Sequence, residues 1–153
     1  MAKLGWRVRA LAWILEHTPG GSVASMSPEQ ILKAQPRLAG HGKLAVGVTG
    51  GLAKWVLTED RVIAQDGQEV PVRIYRSDEH ADGGPVIIHF HGGGWSLGAL
   101  DQSDWLCSQV CIGVGAVVIS VDYRLAPTYR FPTAVLDSVA AVNWVANNAS
   151  ELG

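Results

Sequence analysis

The stretch that decides the fold is PVIIHFHGGGW, residues 85–95. Its first half is a continuous apolar run, typical of a parallel strand that is covered on both faces. Its second half holds three consecutive glycines, Gly92, Gly93 and Gly94, whose bare backbone N–H groups can come close to a bound molecule. Backbone N–H groups arranged in this way form an oxyanion hole, which stabilises the charged intermediate of acyl transfer. We therefore predict a buried strand that leads into an oxyanion-hole loop.

A second apolar run, residues 116–121, predicts another parallel strand in the same sheet. The segment between the two runs has a helical pattern, with Asp101 as its cap and Leu106 and Val110 on its inner face. Gly113 and Gly115 are expected to end this helix. A strand, a helix and a parallel strand make a right-handed crossover, so this part of the chain predicts an α/β architecture.

An antiparallel hairpin is predicted ahead of the first parallel strand. Residues 55–63 and 69–76 are strand-like, and Asp66-Gly67 between them supplies a tight turn. Apolar and other residues alternate in the second of these strands, so we expect it to bury one face. Pro71 cannot donate a hydrogen bond to a neighbouring strand, which places the hairpin near a sheet edge.

A second helix is predicted after the second parallel strand. It begins at Pro132, carries Val135, Val139 and Val142 at helical spacing, and fades near Asn147. The core is therefore a hairpin followed by two parallel strands with crossover helices.

The first fifty residues form a helical preface to this core. Four apolar side chains fall on one stripe of an amphipathic helix: Leu4, Val8, Leu11 and Leu15. We interpret this helix as packed on the body of the protein, with a lid or a surface-seeking helix as alternatives. A short helix follows, in which Ser27 and Gln30 form a capping box and which Pro36 ends. The predicted division is residues 1–50 as preface and residues 51–153 as core.

Ligands of open α/β sheets bind at the carboxyl ends of the parallel strands. The glycine loop follows one such strand, and residues 122–127 follow the other. Both loops are therefore expected on the same rim of the sheet. In the second loop, we interpret Asp122 and Arg124 as a local ion pair that steadies the chain rather than as direct contacts to a substrate.

The composition is that of an ordinary globular chain. It is 48% hydrophobic and 17% charged with a net charge of -2, which indicates neither disorder nor nucleic-acid binding. Cys107 and Cys111 stand four apart in a helical pattern and are interpreted as core thiols of a reducing compartment. We therefore expect a cytoplasmic protein without a metal or cofactor. No segment approaches the ~20 apolar residues that span a bilayer, and the apolar run before Glu16 is short for a secretion signal.

These motifs resemble the hormone-sensitive-lipase-like carboxylesterases of the α/β-hydrolase fold. The resemblance rests on His-Gly-Gly-Gly-Trp at 91–95, Asp-Tyr-Arg-Leu-Ala-Pro at 122–127 and Tyr-Arg-Phe-Pro at 129–132. It runs from about Trp55 onward and implies the N-terminal half of an α/β-hydrolase sheet, preceded by a helical cap. Thr128 departs from the family, which usually has Glu after Ala-Pro.

The resemblance also implies which residues carry the chemistry. The N–H groups of Gly92, Gly93 and Gly94, chiefly the last two, would hold the oxyanion of an ester's tetrahedral intermediate, and His91 belongs to the same loop motif. The residues expected to support this loop are Trp95, Asp122, Tyr123 and Arg124.

The catalytic triad of this family has no counterpart in these residues. Family members continue into a Gly-Asp-Ser-Ala-Gly nucleophile elbow, with the acid and the histidine later still. Ser96 matches the G-x-S-x-G pattern, but no histidine follows it, and His89 and His91 are poorly placed to act as its base. The other histidines, at positions 17, 41 and 80, are expected on the surface.

We therefore expect an ester-hydrolase fragment with an oxyanion-hole loop and no triad, inactive or weakly active alone. The alternative is a non-catalytic module that binds an acyl ligand or assembles with a complementing C-terminal half. Without the strand that normally follows, the run Val86–Ile88 would lie on an open edge. Self-association or pairing with the complement is then expected there. A small acyl ester is the substrate of the completed enzyme, and membrane contact by the N-terminal helix is not expected.

Overall fold

The computed structural model describes residues 23–38, 51–78 and 83–152, together with Gly5, Arg9 and Trp13. The strands within these residues are β1 (Val56–Gln65), β2 (Gln68–Ser77), β3 (Val86–Phe90) and β4 (Val117–Val121). They form a mixed sheet in the order β1-β2-β4-β3. The helices are α1 (Pro28–Leu38), α2 (Asp104–Val114), α3 (Thr133–Asn147) and α4 (Ala149–Leu152), with short 3₁₀ turns at Val23–Ser25 and Leu100–Ser103.

The predicted hairpin is confirmed by β1 and β2. The two strands pair antiparallel, with Gln65 opposite Gln68 at the turn. Asp66 and Gly67 both have left-handed backbone angles, with φ of 53° and 75°, which is the turn geometry that an Asp-Gly pair favours. Since β1 is the outer strand of the described sheet, the hairpin lies at an edge, as Pro71 indicates.

The parallel pair is formed by β3 and β4, with Ile87 opposite Val118. Every residue of β4 is buried, because it lies between β2 and β3 and is covered on both faces. The residues of β3 are only half-buried, and Phe90 is exposed. The prediction of burial on both faces is therefore right for β4 and wrong for β3, which is the edge strand on this side of the described sheet.

The predicted cap of α2 is wrong, and its predicted inner face is right for Val110 but wrong for Leu106. Asp101 lies inside the preceding 3₁₀ turn, and Ser103 occupies the N-cap position. Leu106 is 45% exposed, whereas Cys107 and Cys111 are buried against the sheet. The two residues are core thiols as predicted, and burial raises the pKa of Cys107 to about 11.

Asp104 explains the orientation of α2. Its carboxylate accepts a hydrogen bond of 2.7 Å from the Tyr75 hydroxyl and one of 3.0 Å from Arg73 Nη1. These bonds turn the polar and thiol-bearing face of the helix toward the sheet. The expectation that β2 buries only one face is wrong, since Val72 and Ile74 lie in one core cluster and Tyr75 is buried in another, beside Cys107 and Cys111. Val110 packs at the margin of this cluster. The left-handed Gly115 ends the helix as predicted, whereas Gly113 lies within the helix and does not stop it.

The helix α3 begins directly after Pro132, as predicted, but the three valines that indicated it, Val135, Val139 and Val142, point outward. Its buried residues are Ala134, Asp137, Ala140, Ala141 and Val145. Val135, Val139 and Val142 remain 45–50% exposed. The small alanines let the helix backbone approach the sheet closely, so the alanine face packs and the valine face does not.

The preface is described only in part. Ser27 and Gln30 form the predicted capping box, since Ser27 N donates to Gln30 Oε1 at 2.7 Å and Gln30 N donates to Ser27 Oγ at 3.3 Å. The helix α1 continues to Leu38, so the prediction that Pro36 ends it is wrong. A proline this close to a helix end removes only one backbone donor. The remaining predicted features lie outside the described residues: Leu4, Val8, Leu11, Leu15, His17, His41 and His80.

No helix in the described part of the chain is long and apolar enough to cross a membrane. The same described residues contain no cluster of three or more His, Cys, Asp or Glu side chains that could hold a metal ion.

Candidate functional site

The glycine loop leaves β3 in a left-handed conformation. Gly93, Gly94 and Trp95 have φ of 132°, 62° and 56°. The Gly93 carbonyl accepts hydrogen bonds from the N–H groups of Ser96, at 3.2 Å, and Leu97, at 3.0 Å. A Cβ at position 93 would overlap the Leu97 carbonyl. Glycine is therefore required at position 93 both for its backbone conformation and for space.

The backbone N–H groups of this loop are available to a ligand. In the part of the chain that the structure describes, no acceptor is bonded to the N–H of Gly92, Gly93 or Gly94. Gly92 and Gly94 are exposed and Gly93 is half-buried. Open N–H donors in a fixed loop can bind an anionic oxygen.

His91 and Tyr123 join the two loops of the rim. Their rings stack with centroids 4.4 Å apart, and the Tyr123 hydroxyl donates to the His91 carbonyl at 2.6 Å. Burial raises the pKa of Tyr123, so its hydroxyl stays protonated and able to donate. His91 itself is buried, with Nδ1 3.0 Å from the Gly92 carbonyl oxygen. The prediction that both loops lie on one rim is confirmed.

A second connection lies one turn further along both loops. The Ala126 N–H donates to the Trp95 carbonyl at 2.8 Å. Gln35, on α1, donates from the same Nε2 atom to the carbonyl oxygens of Ser96 and Ala126, each at 2.9 Å. The sequence pattern of α1 did not single out Gln35, because a partner more than sixty residues away leaves no local signal.

The predicted ion pair between Asp122 and Arg124 is wrong, because Arg124 pairs with Asp137 on α3. Its Nη2 lies 2.6 Å from Asp137 Oδ1, and its Nε lies 2.9 Å from Asp137 Oδ2. The Arg124 backbone N–H also donates to Asp137 Oδ2 at 2.9 Å. Asp137 is fully buried, while Arg124 extends past Gln68 and over the Tyr129 ring. Arg124 therefore steadies its loop, but through a partner that is distant in sequence.

Asp122 lies on the rim apart from that pair. Its backbone N–H donates to the Pro71 carbonyl at 2.9 Å. Burial raises the pKa of the Asp122 carboxyl, and the neighbouring His91 opposes this shift. Asp122 is thus a partly buried acid held beside the loop by its backbone.

An apolar pocket opens beside the glycine loop. Its volume is about 270 Å³. The residues that line it include Gly94, Trp95, Ser96, Ala126, Tyr129 and Phe131. Both rim loops thus contribute to one concave surface. The aromatic residues of the second loop were noted in the sequence only as part of a motif. In the structure the Phe131 side chain is 88% exposed. Exposed aromatic side chains of this kind often mark a binding surface.

Ser96 lines this pocket without a histidine partner among the described residues. His89 Nε2 lies 2.9 Å from Ser103 Oγ instead, and burial lowers the pKa of His89. His91 is engaged by Gly92 and Tyr123, as described above. These contacts do not form the hydrogen bond between nucleophile and base that activates a serine.

Comparisons with known proteins identify esterases that are similar to this chain. Residues 87–153 match the family model of the α/β hydrolase fold. The carboxylesterase NlhH of Mycobacterium tuberculosis is 47% identical over 96 residues, which cover 62% of this chain and 30% of that protein. An arylesterase of Saccharolobus solfataricus is 44% identical over 96 residues, covering 63% of this chain and 31% of that protein.

A solved structure extends the likeness to nearly the whole chain. An esterase of Pyrobaculum calidifontis superposes with a TM-score of 0.73 at 31% identity, covering 99% of this chain and 45% of that one. This chain thus spans less than half the length of that esterase. Its sheet matches the N-terminal part of the α/β-hydrolase fold, and the chain is similar to esterases and carboxylesterases over part of their length.

Proposed function

We propose that this chain supplies the oxyanion hole and an acyl pocket of a carboxylic ester hydrolase. The observation that carries the proposal is the glycine loop, whose open N–H groups lie directly beside the apolar pocket. In this proposal the N–H groups of Gly93 and Gly94 hold the oxyanion. The acyl chain of the ester lies in the pocket between Trp95 and Phe131.

The remaining contacts of the rim support this role. An oxyanion hole works because its donors are already in position before charge develops. The hydrogen bond from Tyr123 to the His91 carbonyl and the bond from Ala126 to the Trp95 carbonyl brace the loop on both sides of its glycines. The donors therefore need little reorganisation during the reaction.

The nucleophile, the acid and the base are contributed in this proposal by residues other than these 153. Ser96 has no histidine partner among the described residues, and the sequence holds no histidine after His91. We propose that the chain alone turns over esters weakly or not at all. A complementing C-terminal half, in the same polypeptide or a separate one, would complete the site.

The pocket also favours a second candidate, a module that binds an acyl ligand without catalysis. An apolar pocket binds an acyl chain whether or not a triad is present. The two candidates differ in whether the glycine loop recognises negative charge.

Two probes of equal chain length separate these candidates. Butane-1-sulfonate carries a tetrahedral anionic head, and butan-1-ol is neutral. If the loop is an oxyanion hole, the sulfonate binds at least about tenfold more tightly in calorimetric titration, since hydrogen bonds to charged groups contribute roughly 1.5–3 kcal/mol. Methanesulfonate, which lacks the chain, is the control for unspecific anion binding.

The outcomes are distinct. Equal affinity for the sulfonate and the alcohol would reject the oxyanion hole and favour the acyl-binding module. Binding of neither would reject both. The Phe131→Ala variant removes a pocket wall, so we expect it to weaken both probes by a similar factor.

A further inference from the structure

Gln35 is a residue of α1 that reaches the rim of the sheet. It lies near the end of α1 and is half-buried. Its side-chain nitrogen donates to two carbonyl groups, one on each rim loop: Ser96 of the glycine loop and Ala126 of the second loop. One amide therefore connects three segments that are far apart in sequence.

The two acceptors are walls of the apolar pocket. Ser96 and Ala126 both line it. Their loops are also joined directly by the bond from Ala126 N–H to the Trp95 carbonyl. Gln35 thus bridges the same two loops and fixes the distance between them at the pocket. Each carbonyl would otherwise need another donor, because buried backbone acceptors are rarely left unpaired.

We propose that Gln35 is a positioning residue through which the N-terminal helical segment sets the width of the acyl pocket. The identity of the ligand rests on the proposed function, whereas the bridging of the two loops by Gln35 rests on its hydrogen bonds alone. Occupation of the pocket and docking of α1 then stabilise each other, because coupling between two sites is reciprocal. In this reasoning α1 affects ligand affinity through the position of the two loops, because Gln35 bonds to their backbone carbonyls.

Substitutions of similar size can test the hydrogen-bond donor of the Gln35 side chain separately from its shape. Gln35→Leu and Gln35→Glu keep a similar size but lose the amide donor. Gln35→Lys restores a donor that can serve both carbonyls. Gln109→Leu, at an exposed position on α2, is the matched control for a glutamine removed from a helix.

The first readout is amide hydrogen exchange in the complete 153-residue chain. The Ala126 N–H, which spans the two loops, should exchange about tenfold to a hundredfold faster in Gln35→Leu and Gln35→Glu, as expected for the loss of one or two hydrogen bonds. The Ala140 N–H in α3 should be unchanged. Gln35→Lys should recover most of the protection at Ala126. Unchanged exchange at Ala126 in Gln35→Leu would overturn the proposal.

The second readout is the affinity for butan-1-ol, which reports on the pocket alone. We expect a loss of about threefold to tenfold in Gln35→Leu and Gln35→Glu, with recovery in Gln35→Lys and no change in Gln109→Leu. A tether that only stabilised the fold would lower the melting temperature and leave this affinity intact, which would also overturn the proposal. If the unaltered chain binds no alcohol or sulfonate, the proposed function fails, and the exchange at Ala126 still decides whether Gln35 clamps the loops.

Discussion

Replacing Asp137 by asparagine should destabilise the chain far more than any other single loss of a carboxylate charge considered below. The Asp137 carboxylate is fully buried and accepts three close hydrogen bonds from Arg124, two from the guanidinium and one from the backbone N–H. An amide of the same shape carries no charge and offers only one accepting oxygen. The guanidinium would then lose its charge partner.

The size of the effect follows from burial. Breaking a buried ion pair by removing one partner costs about 3–5 kcal/mol. Because the Arg124 side chain is 33% exposed, water can solvate part of it, and we take the lower end, about 3 kcal/mol. For a chain of this size, 1 kcal/mol corresponds to roughly 2–4 °C in melting temperature. The expected decrease is therefore about 6–12 °C.

Thermal unfolding followed by circular dichroism measures this directly. Glu59→Gln is the matched control, since Glu59 forms an ion pair with Arg61 in which both side chains are largely exposed. Exposed pairs contribute at most about 1 kcal/mol, so this variant should melt within about 4 °C of the parent chain. Equal shifts for Asp137→Asn and Glu59→Gln would refute the reasoning from burial.

Three further outcomes are expected. Ser96→Ala should leave hydrolysis of a short-chain activated ester unchanged, because none of the described residues is placed to act as a base for Ser96. Labelling of the parent chain by an organophosphonate that Ser96→Ala abolishes would contradict this. Asp122→Asn should stabilise the chain at neutral pH, since burial raises the pKa of Asp122 in the folded state. Ionisation of the Asp122 carboxyl therefore lowers the free energy of unfolding as pH rises above 3.8, the ordinary pKa of an aspartate in the unfolded chain. An equal difference in melting temperature between the variant and the parent chain at pH 3 and at pH 7 would exclude this. The open edge of β3 should cause self-association, which light scattering detects; a monomer with one sharp, cooperative transition would count against it.

The strands could be predicted from the sequence because their signals are local. The Asp66-Gly67 turn fixes the hairpin register, and the apolar runs at 85–90 and 116–121 predict strands. Burial on both faces followed only for β4, because it lies between two other strands. The placement of the two rim loops followed from the parallel order of the strands.

The helix faces could not be predicted in the same way. Hydrophobic spacing favoured Leu106 and the valines of α3, but the packed faces carry Cys107, Cys111 and alanines. Close approach of a helix to a sheet is decided by side-chain size and by anchors such as Asp104. A pattern of hydrophobicity does not contain that information.

The partners of the polar side chains at the rim could not be predicted from neighbouring residues in the sequence. Arg124 pairs with Asp137 rather than with Asp122, and Gln35 bonds to residues that follow it by 61 and 91 positions. Such pairs depend on how α1 and α3 lie against the rim, which only the folded chain defines. The glycine loop could be predicted because three consecutive glycines themselves indicate an unusual backbone conformation.

At position 95 the backbone conformation favours glycine, whereas the pocket requires the tryptophan side chain. Its left-handed backbone is a conformation that costs a bulky residue on the order of 1–3 kcal/mol. Glycine at this position would relax the backbone and raise thermal tolerance, but it would remove the indole that lines the pocket. Selection for heat resistance alone would therefore drift toward glycine here, and selection for ligand capture would hold the tryptophan. A library that varies position 95 under each pressure in turn would sort into these two populations.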